Sequence, residues 1–517
     1  MKQKLPSSPK AKLGQYFTPQ PVADFMLRLA NVSTDAQVLE PSCGAGVFLE
    51  RLHQRGFHQI TAFEVDSHLA KEFDYVQYAS FVSADITQKF DLIIGNPPYI
   101  GWKKLPNVLK EELSQNLLWQ TYCNSLCDYL FIFILKSVEL LKPGGELIFI
   151  CPEYWLNTTH SQPLRNYLME NGYFECFYHF SETPIFEQAN ISTIIFKYVK
   201  TKVIDPPSVV VIRYTARQEL TSQALEALAN TETKTLDLER FKVPQFKHDE
   251  KWLLVKPTIL QGVKRFEESC QTTIGEVCDI AHGLVSGLEK AFRLPEDLPL
   301  NDLEKKHLLS VVKGKNLMPF RFNEASSYIF LNEVETEAEL KKGFPHFYKH
   351  LQPFKAALKK RYQYNRTIPY WHWVFLRSFQ QFSQPQPRIF VPVKERITHK
   401  NYVRFAGIPA GLYPTQDVIA LFPRTNVRES LWYILAFLNS PEVFEWYKYH
   451  GIVKGGVVEF SERPLASIPF RTIDWENPAE VALHEQITKA SYALTQQTNT
   501  QIQEEVNQAF AQLLGNL

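Results

Sequence analysis

Four consecutive residues, Asn96-Pro97-Pro98-Tyr99, carry the groups needed to hold a flat amine. Asn96 offers a side-chain carbonyl, while Pro97 and Pro98 keep backbone carbonyls and have no N–H to donate. Tyr99 adds an aromatic face. Hydrogen-bond acceptors beside a stacking surface suit an exocyclic amino group on a planar base. The tetrapeptide follows the apolar run Phe90-Asp91-Leu92-Ile93-Ile94-Gly95, which has the pattern of a buried strand. Two prolines cannot continue a ladder or enter a helix interior, so the chain must leave a sheet here as a stiff loop. By itself the tetrapeptide reads equally well as a proline turn closing a strand.

Its companions change that balance. Gly14-Gln15-Tyr16-Phe17-Thr18-Pro19 precedes a segment in which Val22, Phe25, Met26 and Leu29 recur at helical spacing, so Thr18 is expected to cap that helix. An open helix start also favours anionic groups. Val38 to Leu49 then reads as a strand, a glycine loop with Gly44 and Gly46, and a helix start. Leu49 stands where the dinucleotide fingerprint needs its third glycine, which argues against NAD or FAD. Glu64, at the tip of a second strand Thr61-Ala62-Phe63, is placed to bind ribose hydroxyls. A short third strand, Tyr78 to Val82, leads to Asp85 and Ile86, an acceptor and an apolar group for an adenine ring.

The elements that must position these groups follow from pattern. Asp128 to about Leu141 reads as a helix stopped by Lys142-Pro143-Gly144-Gly145, and Glu146 to Ile150 as a buried strand. Pro184-Ile185-Phe186-Glu187-Gln188-Ala189-Asn190 is a loop before another strand, Ile191 to Tyr198. Strands alternating with helices give an α/β class, a doubly wound Rossmann-like sheet with its sites at the carboxyl ends of the strands.

In this order the motifs resemble those of the amino-methyltransferases acting on adenine N6 of DNA, the TaqI-type gamma group in particular. The resemblance covers Lys12 to about Tyr198, and continues weakly through Ile274-Gly275-Glu276-Val277 to Gly287. It implies S-adenosylmethionine as cofactor, held by Thr18, Glu40, Pro41, Cys43, Gly44, Gly46, Glu64, Val65, Asp85, Ile86 and Asn96. It further implies that Asn96, Pro97 and Tyr99 are catalytic, and that Tyr99 and Phe186 stack on the two faces of a flipped-out adenine. No covalent enzyme intermediate is needed, in keeping with Cys151-Pro152, the reverse of a Pro-Cys nucleophile. Cytosine-N4 methylation, and protein-glutamine or guanine-amino methylation, pose the same amine problem and stay open. The last two favour shorter chains without a second half.

With 517 residues the chain is too long for one ordinary core. A catalytic domain is expected over residues 1–245, and a mixed α+β domain that recognises the DNA sequence over residues 246–517. Net charge is only +1, but residues 341–404 hold fourteen Lys and Arg against one acidic residue, Glu395. Aromatics interleave there, as in Tyr362-Gln363-Tyr364 and Tyr370-Trp371-His372-Trp373. Basic residues mixed with aromatics and amides suit phosphate contact and base reading, and a solvated basic face is the plain alternative. Lys359, Lys360 and Arg361 are the candidate phosphate contacts, and Tyr364, Asn365 and Arg366 the candidate base readers. His346 and His350 have metal spacing, yet their Lys-rich surroundings disfavour a cation, and no metal is expected.

Seven scattered cysteines without a C-x-x-C pair suggest a reduced compartment without structural zinc. The basic start, Met1 to Lys12, lacks an apolar signal core. No apolar run approaches membrane-spanning length. A cytoplasmic monomer working on double-stranded DNA is expected, with a separately encoded cognate restriction endonuclease as partner. The chain opens on the cofactor motif, so no N-terminal nuclease is expected, and Glu304-Lys305-Lys306 reads as a solvated helix face. Leu483, Ile487, Leu494, Ile502, Val506, Phe510 and Leu513 predict two C-terminal helices.

Overall fold

The computed structural model describes residues 16–181, 183–186, 192–218, 220–230, 235, 237–397, 400–454 and 456–515. The basic segment Met1 to Lys12, Gly14-Gln15, Glu187 to Asn190 and the predicted strand start Ile191 lie outside them. The chain divides into two compact units, Met1–Ile259 and Leu260–Leu517.

The first unit is built on one twisted sheet. Its elements are α1 (Gln20–Arg28), β1 (Val38–Glu40), α2 (Val47–Gln54), β2 (Ile60–Phe63), β3 (Val76–Gln77) and β4 (Phe90–Gly95). They continue with α3 (Asn107–Gln115), α4 (Leu117–Tyr122), α5 (Leu130–Leu140), β5 (Leu141–Pro152), α6 (Gln162–Asn171) and β6 (Tyr173–His179). The unit ends with β7 (Thr193–Val199), β8 (Val209–Tyr214), α7 (Ser222–Ala229) and β9 (Leu238–Val243). The strand order is β3-β2-β1-β4-β5-β7-β6-β8-β9. β1 pairs in parallel with both β2 and β4, and β4 with β5, whereas β7 runs antiparallel between β5 and β6. The order reverses between β1 and β4, and the chain ends leaving those two strands open a crevice there.

Burial on both faces explains why β4 and β5 are near-continuous apolar runs. One face packs against α5, whose residues Leu130 to Leu135 are all buried, and the other against Phe25 and Met26 of α1 and Phe48 of α2. The predicted stop at Lys142 to Gly145 is a bulge inside β5. Pairing jumps from Phe90–Leu141 to Leu92–Glu146, and Gly144 takes up the irregularity at φ 81°. β3 is shorter and earlier than the expected strand over Tyr78 to Val82. The segment between residues 202 and 243 adds β8, α7 and β9 to the sheet edge.

The first unit also extends past the expected boundary at residue 245. Gln245 Nε2 donates to the Phe174 carbonyl (2.7 Å), the rings of Phe246 and Trp252 stack at 4.5 Å, and Trp252 and Leu254 are buried in its core. These apolar side chains hold residues 245–254 on the sheet.

The second unit contains an antiparallel sheet in the order Cys278–His282, Val418–Pro423, Arg388–Pro392, Ala406–Ile408. A smaller three-stranded sheet is centred on Leu308–Val312. The two predicted C-terminal helices are present as Pro478–Gln496 and Thr500–Leu513. They bury Ile487 and Leu494, and Val506, Phe510 and Leu513, with the helix Leu431–Leu438 in one apolar core.

Candidate active site

The crevice at the carboxyl ends of β1, β2 and β4 holds a cavity. Pro41, Ser42 and Gly44 after β1, Glu64 and Val65 after β2, and Asn96 and Pro98 after β4 line it. Tyr16 and Phe17 close one end, and Pro106 and Leu109 of the α3 region with Phe133 of α5 close another.

Glycine at position 46 is a geometric need. Its φ is 83°, and a Cβ there would sit 2.5 Å from the Phe73 ring. The preceding turn is pinned by Glu64. One carboxylate oxygen accepts from Gly44 N, and the other from Val65 N and Asp66 N, each at 2.8 Å. The oxygen that accepts from Gly44 keeps a second lone pair, so Glu64 can still take a ribose hydroxyl. Cys43 acts through its backbone, with its N–H donating to the Phe63 carbonyl at 2.9 Å, and its buried thiol is pushed well above the usual range. Glu40 is buried at the end of β1, and its Oε2 has no hydrogen-bond partner. Burial first, and the charge of Glu64 second, raise its carboxyl well above 4.5.

Asn96 is the focus of the polar geometry. Its Nδ2 donates to the Tyr16 carbonyl (2.8 Å) and to Thr18 Oγ1 (3.2 Å). Both amide hydrogens are thereby used, and Oδ1 is left buried without a partner. A buried acceptor without a donor is costly, about 1–3 kcal/mol, and marks a place where a ligand is expected to donate. This arrangement corrects the role given to Thr18. The residue preceding α1 is Pro19, no side chain caps that helix, and the Thr18 hydroxyl instead fixes the Asn96 amide. The Tyr99 hydroxyl is likewise buried and unpartnered, and burial raises its pKa far above 10.

The two rings expected to stack on the base both lie against Tyr16. The Tyr99 ring stacks on Tyr16, with centroids 4.9 Å apart and planes 8° from parallel. Phe186 is buried beside Phe25 and Phe180, and its ring lies 5.7 Å from Tyr16 at 45°.

Asp85 and Ile86 are not part of this cavity. They line a separate one with Glu112, Lys136 and Glu139. The cause is the early end of β3 together with Lys136. This buried ammonium donates three bonds, to the carbonyls of Phe81 (2.7 Å), Val82 (3.0 Å) and Ala84 (2.6 Å). With that clamp in place, Ala79, Ser80 and Phe81 line the first cavity instead. A lysine on the apolar face of α5 was the available signal for this clamp. For Leu109 and Phe133 the sequence carried none, because their spacing is that of ordinary helix packing.

Around the basic stretch of the second unit, charges are turned inward. The Arg361 guanidinium donates to the carbonyls of Ser286 (2.8 Å), His372 and Pro369, lies over the Phe292 ring at 5.5 Å, and is lowered to about 10 by burial. It is a structural clamp rather than a free phosphate contact. Arg388 is fully buried among carbonyls, and Lys400 and Arg404 pair with buried Glu395. Trp371 and Trp373 belong to the core, with their indole N–H groups on the carbonyls of Val334 and Ile329. Lys359, Lys360, Asn365 and Arg366 are exposed. Tyr364 and Asn365 are consecutive left-handed residues (φ 53° and 58°) that form the loop's tip, with Arg366 over Phe375 at 5.3 Å. Glu304 is not on a solvated face. It is fully buried and accepts from Asn301 N, His346 N and His346 Nδ1. His350 bonds the Ala291 carbonyl, and no cluster suited to a metal occurs among the described residues. No helix among them is long and apolar enough to cross a membrane.

The chemistry of the cavity fits S-adenosylmethionine. A glycine turn admits close approach, a carboxylate stands at the second strand, apolar walls flank it, and Asn96, with its unpartnered amide oxygen, is part of the lining. Comparison with known proteins agrees. Residues 47–186 match the Eco57I restriction-modification methylase model, and residues 3–65 the N-6 DNA methylase model. Type II methyltransferase M.HindII of Haemophilus influenzae is 42% identical over 497 residues, covering 93% of each chain. M.HincII, also of Haemophilus influenzae, is 41% identical over 481 residues, again with 93% of each covered. The type IIL restriction-modification enzyme MmeI shares the fold, with a TM-score of 0.60 at 13% identity over 96% of this chain and 72% of its own. The chain therefore belongs to the type II methyltransferases of restriction-modification systems, and is an S-adenosylmethionine-dependent DNA adenine methyltransferase.

Proposed function

We propose that the enzyme methylates N6 of an adenine flipped out of duplex DNA, in the manner of the TaqI-type gamma group, and that the second unit selects the sequence. One observation carries this reading: Asn96 Oδ1, buried and unpartnered at the end of β4, with its own amide hydrogens already committed.

The adenine amino lone pair is delocalised into the ring, so the nitrogen is a poor nucleophile. Asn96 Oδ1 and the Pro97 carbonyl accept its two hydrogens and draw it towards tetrahedral geometry, which frees the lone pair. When bound, S-adenosylmethionine supplies a methyl group activated on a sulfonium. The rest of the rate enhancement is positioning. An amino group paired inside a duplex is out of reach, so the base must leave the stack, at a cost of a few kcal/mol. Stacking on Tyr99 and Phe186 offsets much of this, at about 1–3 kcal/mol per face. Glu64 holds the ribose, and Gly44, Gly46 and Val65 shape the pocket. Exposed Lys359 and Lys360 contact phosphates, and Tyr364, Asn365 and Arg366 read bases from the loop tip. The enzyme acts as a monomer beside a separately encoded endonuclease.

Cytosine N4 would present the same hydrogens to Asn96. Sequencing DNA from a host that expresses the chain, with detection of modified bases, decides between them. N6-methyladenine at one sequence, absent with Asn96→Ala, is the expected result, and N4-methylcytosine would overturn the choice of base.

A further inference from the structure

Tyr16 occupies the place that a flipped base needs. Its ring already lies on the Tyr99 face, at 4.9 Å and 8°, and leans on Phe186 at 5.7 Å. We propose that Tyr16 is the placeholder of the target-base slot, its ring filling the space between Tyr99 and Phe186 in the DNA-free enzyme and swinging aside when the base enters. The proposal rests on the assignment of Tyr99 and Phe186 as base-stacking faces.

The local geometry allows that exchange. The Tyr16 carbonyl is anchored by Asn96 Nδ2, but the side chain can rotate about χ1 without moving that carbonyl. Among the described residues the Tyr16 hydroxyl makes no hydrogen bond that rotation would break. Asn96 Oδ1 and the hydroxyl of Tyr99, the ring on which Tyr16 stacks, both stay buried without a partner. A base carrying an exocyclic amine replaces one stacking partner by another and adds donors that Tyr16 lacks. A base without those donors replaces only the stack. An aromatic placeholder therefore sets a threshold that favours capture of an amine at the correct edge. Tyr16 also lines the cofactor cavity, so it stands at the junction that the transferred methyl must cross.

The test uses the full chain with S-adenosylhomocysteine and cognate duplex carrying 2-aminopurine at the target position. This analogue stacks like adenine but lacks the amine at C6. Tyr16→Ala should raise its capture, read as fluorescence increase, by about 2–10-fold, the equilibrium equivalent of one lost aromatic pair. Tyr16→Phe keeps the ring and should match the wild type, and thermal melts check that both variants are folded. Tyr99→Ala in the same assay should lower the signal. An equal or smaller signal with Tyr16→Ala, while Tyr99→Ala lowers it, overturns the placeholder and leaves the base-stacking assignment standing. A rise with Tyr16→Phe moves the effect to the hydroxyl and also overturns it. An unchanged signal with Tyr99→Ala removes the stacking assignment and the placeholder together.

Discussion

The loop after β4 and the basic stretch at residues 341–404 both drew attention for their polar groups, and the structure treats them in opposite ways. Beside β4, Asn96 Oδ1, Glu40 Oε2 and the Tyr99 hydroxyl are buried without partners. In the basic stretch the terminal nitrogens of Arg361 and Arg388, and Arg404, are bonded to carbonyls within the fold, and Nε of Arg361 and of Arg388 is left without a partner. A buried polar atom left unsatisfied lowers stability, and where it belongs to a residue lining a cavity, as Asn96 does, it marks a place for a ligand to donate. An abundance of charge carries no such implication, because charged side chains also serve to tie loops to backbone carbonyls. Local chemistry singled out residues that line a cavity, while composition overcounted the charges free in the basic stretch.

The largest effect that could break this contrast is at Asn96. Asn96→Ala removes the unpartnered acceptor and should lower the transfer rate by about 10²–10³-fold, the range for deleting one preorganised hydrogen-bonding group. Cofactor affinity by calorimetry should stay close to wild type. Near-normal turnover would show that the orphaned oxygen has no role. Phe186→Ala comes next. It should diminish 2-aminopurine capture roughly tenfold through lost stacking, and lower Tm as well, since Phe186 is buried in the α1 core.

In the second unit the contrast predicts a division among neighbours. Arg361→Ala should destabilise by about 1–3 kcal/mol, because three carbonyls lose their donor. Lys359 and Lys360 are exposed, and changing both to Ala should leave Tm unaltered while flattening the salt dependence of DNA binding by about 0.9 per phosphate contact. If Arg361→Ala instead leaves Tm unchanged and flattens the slope, the basic stretch is a continuous binding face after all. At the cofactor, Glu64→Ala should weaken S-adenosylmethionine by about 1–3 kcal/mol and Asp85→Ala should not, since Asp85 faces another cavity. Equal losses in calorimetry would return Asp85 to the site.

The doubly wound sheet was legible because strand periodicity, the glycine turn and Asn96-Pro97-Pro98-Tyr99 all express local geometry. What escaped depends on contacts distant in sequence. Thr18 looked like a helix cap, and only the tertiary approach of β4 turns its hydroxyl to Asn96. Asp85 sat at a plausible strand end, but Lys136, some fifty residues on, bonds the carbonyls before it, and Ala79 to Phe81 line the cavity in its place. Tyr16 had no distinguishing pattern, and only the fold brings its ring against both Tyr99 and Phe186. The Trp371 and Trp373 rings were read as interleaved with basic residues for DNA, while their apolar area places them in the core.

The smallest predicted effect is the contrast reduced to two carboxyls. Glu40 in the first unit and Glu304 in the second are both buried. Glu40 has an unpartnered oxygen, and burial followed by Glu64 raises its pKa. Between 4.5 and that raised value the folded chain holds a proton that the unfolded chain has released, so stability falls as pH rises. Glu304 is also pushed up by burial, but the N–H groups of Asn301, His346 and Phe347 and the His346 side chain outweigh this and leave its pKa lowered. Its contribution is present above 4.5 and is lost as pH falls through the lowered value. Glu40→Gln mimics the protonated acid, so its Tm should approach that of the wild type below pH 4.5 and exceed it increasingly towards pH 8. Glu304→Gln should show the opposite ordering, being less stable than wild type at neutral pH and converging with it in acid. Differential scanning calorimetry of both variants across pH tests this. Slopes of the same sign would mean that partners, and not burial alone, fail to distinguish the two sites.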